Sequence, residues 1–300
     1  MDKLPVDATA INSLVLLARA AGDAIMDVYQ SAEFGVEHKA DESPVTRADI
    51  AAHDIIAAGL PRLLDLPIIS EEAPVPSASE RQAWGRYWLV DPLDGTKEFI
   101  LRSGEFTVNI ALIEEGIPVL GVVHLPAQQT TYLGVARQLS ADYGGAWKYQ
   151  QDYPATRIRV RSLAQVRDDN ALVVLASHRH GTGAVNQLVE QLRGRWPGAV
   201  QLSNAGSSLK FCRIAEGVAD FYPRLAPTSE WDTAAAQAVL QAAGGAVVNA
   251  EESSAAWLKP LDYNGKDTII NPDFYALGDV NLDWSALLKR SETETGMKRT

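Results

Sequence analysis

The chain has 300 residues, 46% apolar and 22% charged, with a formal net charge of −11 at pH 7. That length suits about two domains and a substantial core. The acidic balance argues against non-specific nucleic-acid binding, which needs a basic face, and the single cysteine, Cys212, rules out an internal disulfide. Residues 1–7 lack the basic and apolar regions of a secretory signal. No uninterrupted apolar run reaches the about 18 residues of a membrane span. A cytoplasmic protein is expected, with peripheral attachment to the inner face of the membrane left open.

Apolar positions such as Ile11, Leu14, Val15, Ala18 and Ile25 recur at helical spacing and predict a helix over Ala8–Tyr29. Residues 35–44 are polar and predict a loop or a short strand with a loop. A second helix is predicted from residue 46 or 47 to 64, with Thr46 as its N-cap. A short strand follows over 66–70, ending at Glu71, and then a polar loop over 73–80. The run Trp88-Leu89-Val90 predicts a strand that stops near Asp91, because Asp and Pro are poor strand residues. Segments 106–113, 119–124, 130–135 and 146–149 follow at hairpin distances and predict an antiparallel sheet covered by the two helices.

From about residue 158 the pattern changes. The continuous apolar run 171–177 reads as a strand buried on both faces. Then come a helix over 182–192, a strand over 200–202, a helix over 207–216 containing Cys212 as a buried thiol, and a strand over 220–222. A helix over 232–243 is closed by Gly244-Gly245. The expected fold class is α/β: an α+β N-terminal half over 1–156, with an antiparallel sheet, and an α/β C-terminal half over 157–300. The polar tail 291–300 is expected to fray.

Asp91, Asp94 and Thr96 gather hard oxygen donors at a strand end, where α/β proteins place their sites. Such donors suit Mg²⁺. A plain turn stays open, since Asp-Pro and Asp-Gly are turn dipeptides. Taken singly, Glu71, Asp232 and Asp49 read as caps or surface charges. Taken together, Glu71, Asp91 and Asp94, with Asp232 approaching from the second half, suit two Mg²⁺ ions. Gly95 and the segment after it present backbone N–H groups beside Thr96, a cradle for an oxyanion.

The Asp-Pro-Leu-Asp-Gly-Thr of 91–96, with Glu71-Glu72 upstream and Trp231-Asp232-Thr233-Ala234-Ala235 downstream, resembles the signature of the inositol-monophosphatase-like, lithium-sensitive phosphatases. The resemblance runs from about residue 14 to 271. Lys97-Glu98-Phe99, Gly206-Ser207-Ser208-Leu209-Lys210 and Tyr222-Pro223-Arg224 are similar to the CysQ-type subgroup, the 3′(2′),5′-bisphosphate nucleotidases. The resemblance implies a layered αβαβα sandwich of the inositol monophosphatase and fructose-1,6-bisphosphatase type. It implies two or three Mg²⁺ per site, held by Glu71, Asp91, Asp94, Asp232 and the Leu93 carbonyl. Asp49 and Thr96 would orient and deprotonate the attacking water, since a Thr hydroxyl needs a carboxylate to take its proton. Gly95, Thr96, Ser177, His180, Ser207, Lys210 and Arg224 would contact the substrate, with the two cations on a phosphate remote from the metals. His178 competes with His180 for the match to the family's Ser-Arg-Ser-His.

The implied activity, placed in sulfur metabolism, removes the 3′-phosphate of adenosine 3′,5′-bisphosphate, giving AMP and phosphate, and extends to the 5′-phosphosulfate analogue. The partner is a small nucleotide, and the chain a monomer or homodimer. The alternatives are an inositol monophosphatase or fructose-1,6-bisphosphatase and, outside enzymes, an inactive nucleotide-binding sensor.

Overall fold

Helix α1 (Ala8–Tyr29) starts where the Asp7 carboxylate accepts a hydrogen bond from the Ala10 N–H at 2.9 Å, satisfying an amide that the first turn leaves unpaired. The protein is seen as a computed structural model, which describes residues 7–31, 35, 37–38, 44–151, 153–163, 171–177, 183–250 and 259–288. Strands β1 (Glu37–His38) and β2 (Pro44–Val45) pair antiparallel before α2 (Arg47–Leu63). By length and composition α1 could cross a membrane. Here it is a core helix, with Ile11, Leu14, Ala18 and Ile25 packed into the same buried cluster as Ile56 of α2.

Seven strands form the first sheet among the described residues, in sequence order: β3 (Ile68–Ser70), β4 (Arg86–Asp94), β5 (Thr107–Glu114), β6 (Ile117–Leu125), β7 (Thr130–Val135), β8 (Gly145–Gln150) and β9 (Thr156–Ile158). The β3–β4 pair is parallel and the rest are antiparallel. Helix α3 (Ala78–Arg81) lies between β3 and β4, overlapping the end of the stretch expected to be a loop, capped by the Ser77 hydroxyl accepting from the Glu80 N–H. Helix α4 (Thr96–Ile100) follows β4.

The second sheet is built from β10 (Leu172–Ala176), β11 (Val200–Asn204), β12 (Phe221–Arg224), β13 (Ala246–Asn249) and β14 (Phe274–Leu277), in the order β11-β10-β12-β14-β13. Its first three strands run parallel, while β14 and β13 add an antiparallel edge. Helices α5 (Gly183–Arg195), α6 (Leu209–Ala215), α7 (Ala234–Ala242) and α8 (Trp284–Leu288) complete it. Ile214, Val239 and Leu240 of α6 and α7 share one buried cluster with Val123 and Tyr132 of the first sheet and Val247 and Phe274 of the second. Leu188, Leu192, Trp284 and Leu287 of α5 and α8 pack with Leu172, Val174 and Phe221. The layers are therefore α1/α2, the first sheet, α6/α7, the second sheet and α5/α8, the expected αβαβα sandwich.

The alanines of α7 have a packing reason. A Cβ on Gly121 would lie 2.2 Å from the Ala235 carbonyl, and one on Gly134 would lie 2.4 Å from Val239 Cα. Helix backbone thus rests directly on β6 and β7, and only small residues on both surfaces allow that approach. This contact brings the start of α7, and Asp232 just before it, over the first sheet.

Candidate active site

Strand β4 does not stop at Asp91, as its Asp-Pro step predicts; it continues to Asp94. Asp91 pairs with Asn109 and Asp94 with Thr107, so three steps along β4 match two along β5. The extra residue is a bulge that absorbs Pro92, which has no N–H to give to the ladder. It also solves a geometric problem. Residues three apart on a regular strand face opposite sides of the sheet, and one inserted residue returns them to the same side. The Asp91 Oδ1 accepts from the Leu93 N–H at 3.0 Å and fixes the turn.

Parallel pairing of β3 with β4 sets Ser70 opposite Val90, and the Glu71 N–H donates to the Val90 carbonyl at 3.2 Å. Glu71 therefore emerges beside Asp91. Asp232 arrives from a 3-10 turn, Glu230–Asp232, rather than from the first turn of a helix. Thr233 separates that turn from α7, and the Ser229 N–H donates to Asp232 Oδ2 at 2.8 Å. One carboxylate oxygen from each of Glu71, Asp91 and Asp232 falls within 4.8 Å of the others.

Burial, then repulsion from Glu71, Asp94 and Asp232, pushes the Asp91 carboxyl well above its ordinary range. Burial and then the neighbouring Asp94 and Glu71 charges do the same to Asp232. Asp91 is 1% exposed, and its Oδ2 has no hydrogen-bond partner among the described residues. A buried anionic oxygen without a donor, beside other carboxylates, is the donor set a hard divalent cation completes. These residues fit such an ion.

Asp94 is held differently. Its Oδ2 accepts from the Ser208 N–H at 2.7 Å, with the Thr107 hydroxyl and the Asn109 amide each at 3.4 Å. Burial raises its pKa, and the Lys210 charge opposes the rise. The Leu93 carbonyl lies 3.4 Å from the Thr96 hydroxyl.

Asp49 is 2% exposed at the start of α2. Its Oδ2 accepts from the Thr46 N–H at 2.8 Å and the Thr46 hydroxyl at 2.6 Å, and its Oδ1 accepts from the Thr96 hydroxyl at 3.2 Å. The capping box thus turns one carboxylate oxygen inward and presents the other to Thr96. Burial raises the Asp49 pKa, against the lowering effect of the Thr46 hydrogen bonds.

Gly95, Ser177, Ser207, Lys210 and Arg224 line one cleft of about 170 Å³ with Asp94 and Asp232. Gly95 has φ +92°, and a Cβ there would lie 3.3 Å from Ser207 Cβ. Ser207 also has positive φ, +39°, and its buried hydroxyl is unpartnered among the described residues. The Lys210 ammonium donates to the Ala205 carbonyl at 3.1 Å and the Ser207 carbonyl at 2.8 Å, and sits 5.1 Å over the Tyr222 ring. Burial lowers its pKa to about 8. Arg224 donates to the carbonyls of Ala226 at 3.0 Å and Pro227 at 2.9 Å. His180 and its competitor His178 lie outside the described residues.

Sequence reasoning missed Ser208 and Asn109, each 1% exposed. The Ser208 hydroxyl donates to the Asp232 carbonyl at 2.6 Å and accepts from the Asn109 amide at 3.1 Å. With its N–H on Asp94, Ser208 ties together acidic residues from both halves. An asparagine inside the apolar strand 106–113 was the available signal, because a polar group buried there needs a partner.

The model of the inositol monophosphatase family matches residues 7–282 of this chain. The 3′(2′),5′-bisphosphate nucleotidase CysQ of Escherichia coli (strain K12) is 48% identical over 266 residues, 88% of this chain and 98% of that protein. The protein of the same description from Shigella flexneri is also 48% identical, over the same shares of the two chains. Among solved structures, CysQ from Bacteroides thetaiotaomicron, described as a bacterial member of the inositol monophosphatase family, superposes with a TM-score of 0.76 at 36% identity, covering 92% of this chain and 98% of that one.

Proposed function

The chain belongs to the inositol monophosphatase family, and from that premise we propose that it hydrolyses the 3′-phosphate of adenosine 3′,5′-bisphosphate, giving AMP and phosphate, with the 5′-phosphosulfate analogue as a second substrate. The observation that carries the reading is the convergence of carboxylate oxygens from Glu71, Asp91 and Asp232, with the Asp91 Oδ2 buried and unpartnered among the described residues, in a site that also holds the Thr96–Asp49 pair. The 48% identity to bisphosphate nucleotidases supports the choice of substrate.

Glu71, Asp91, Asp94, Asp232 and the Leu93 carbonyl are the proposed ligands of Mg²⁺, two or three ions per site. When bound, the metal supplies Lewis acidity and eases deprotonation of water. The protein's own groups do the rest. The Thr96 hydroxyl donates to Asp49, which leaves its oxygen free to accept a proton from the attacking water; Asp49, with its raised pKa, is the sink for that proton. The water oxygen forms the new bond to phosphorus, the bond to the 3′-oxygen breaks, and that oxygen takes up a proton. Gly95, Ser177, His180, Ser207, Lys210 and Arg224 hold the nucleotide. In this reading the 1–156 and 157–300 subdomains share one cleft and the protein works in the cytoplasm, as a monomer or homodimer.

Phosphate release by the purified chain, with Mg²⁺, on adenosine 3′,5′-bisphosphate, inositol monophosphate and fructose 1,6-bisphosphate tests the proposal. The nucleotide should show the highest kcat/KM. Preference for either of the other two substrates overturns the substrate, and absence of metal-dependent release on all three returns the sensor reading.

A further inference from the structure

Arg81 lies in α3, on the connection between Glu71 and Asp91. It is 1% exposed, an unusual place for an arginine. Its Nη1 donates to Asn264 Oδ1 at 2.5 Å, and its Nη2 donates to the carbonyls of Lys266 and Asp267 at 2.7 Å each. Asn264 answers with its Nδ2 on the Arg81 carbonyl at 2.5 Å and its backbone N–H on Glu230 Oε2 at 2.9 Å. Glu230 is also 1% exposed, and it sits in the same 3-10 turn as Asp232. The Glu230 N–H is in turn pinned to the Ile269 carbonyl at 2.8 Å.

As a source of stability this arrangement is poor. Glu230 Oε1 has no hydrogen-bond partner among the described residues, and the Lys266 ammonium stands 3.9 Å away. Arg81 Nε is likewise unpartnered. A dry carboxylate with one good hydrogen bond costs more than an apolar side chain of the same volume, so attraction between the charges does not account for it. Its placement does. The chain Arg81–Asn264–Glu230 joins the connection that carries Glu71 and Asp91 to the turn that carries Asp232, through an Arg81–Asn264 contact that spans 183 residues of sequence. None of the three is among the residues that converge at the metal site.

We propose that Arg81, Asn264 and Glu230 are positioning residues that set the separation between Asp232 and the Glu71–Asp91 pair, and through it the affinity for the divalent cation. The inference rests on the metal-site reading above. Outer partners that orient metal ligands are worth about 10- to 100-fold in metal affinity when removed.

The test is isothermal titration calorimetry of the full-length, metal-free chain with Mn²⁺ alone, accompanied by circular dichroism and Tm. Wild type should bind, and Asp91→Asn should bind far more weakly; equal binding by those two would sink the metal-site reading itself. Given that difference, Glu230→Ala and Arg81→Lys should each raise Kd by about tenfold or more, with native circular dichroism. In phosphate release, excess Mg²⁺ should recover most of the lost rate. A folded variant with wild-type Kd and only a lower metal-free Tm overturns the inference, because that is what a purely structural strut gives. Should Glu230→Ala not fold, Arg81→Lys reads the same connection from its other end while keeping a cation.

Discussion

The carboxylate cluster and the cationic wall of the cleft satisfy their polar atoms in opposite ways. In the carboxylate cluster, Asp91 keeps a buried oxygen with no donor among the described residues, and burial and mutual repulsion hold Asp91 and Asp232 well above the ordinary carboxylate range. On the wall, Lys210 is fastened to the carbonyls of Ala205 and Ser207, and Arg224 to those of Ala226 and Pro227. The first region is electrostatically incomplete without a cation. The second is organised by the protein alone, each charge bracing the segment next to the element that carries it. A site can thus combine a strained half, which gains from its ion, with a rigid half that loses little on binding an anion.

The largest expected effect comes from the strained half. Asp91→Asn should lower kcat by on the order of 10³-fold at saturating Mg²⁺, measured as phosphate release. A fall of less than tenfold would break the contrast, since Asp91 would then be no more critical than a wall residue.

A second effect separates the carboxylate cluster from the rest of the first sheet. His124, 4% exposed, bonds through Nδ1 to the Thr131 hydroxyl at 2.9 Å, and burial, aided by the Arg19 charge, lowers its pKa to about 4. The unfolded imidazole titrates near 6.5, so between those values the unfolded state binds more protons and stability falls as pH falls. The raised carboxylates act in the reverse sense, because their folded forms bind protons more tightly. Urea unfolding of the metal-free protein at pH 7 and pH 5 should therefore show His124→Gln gaining about 2 kcal/mol relative to wild type on acidification. No relative change would mean that His124 is not held neutral by its surroundings.

The smallest effect belongs to the wall. Arg224→Ala should raise KM for the bisphosphate by about tenfold, with kcat within threefold, because a charge-assisted contact to a remote phosphate acts on ground state and transition state alike. An equal fall in kcat and kcat/KM would instead place Arg224 in the chemistry and erase the distinction between the two regions.

Of the candidate donors, Asp91, Asp94, Gly95 and Thr96 stood out in the sequence by sitting within six residues, and Asp232 by the family-like Trp231-Asp232-Thr233-Ala234-Ala235. The two-layer reading of the first half was legible from period-2 and period-3.6 patterns. Strands β13 and β14, of four residues each, carried too little pattern to find. Helix α3 hid in a polar stretch for the same reason. The bulge at Pro92 could not be anticipated, because Asp-Pro signals the end of a strand as readily as an extra residue within one. Ser208 and Asn109 meet across 99 residues, and Arg81 and Asn264 across 183, so no local window contains either pair.

Sequence alone determined which chemical groups this protein has and which of them are neighbours along the chain: the carboxylates, the threonine, the remote cations and the helices and strands long enough to show a period. Only the tertiary structure decided which groups face one another. The β4 bulge turned Asp91 and Asp94 to one side, the parallel β3–β4 register set Glu71 beside them, and the glycine–alanine contact of α7 on β6 and β7 brought Asp232 in from the other half. Register and packing distance are properties of two surfaces meeting, and a one-residue slip in either would send the same side chains elsewhere.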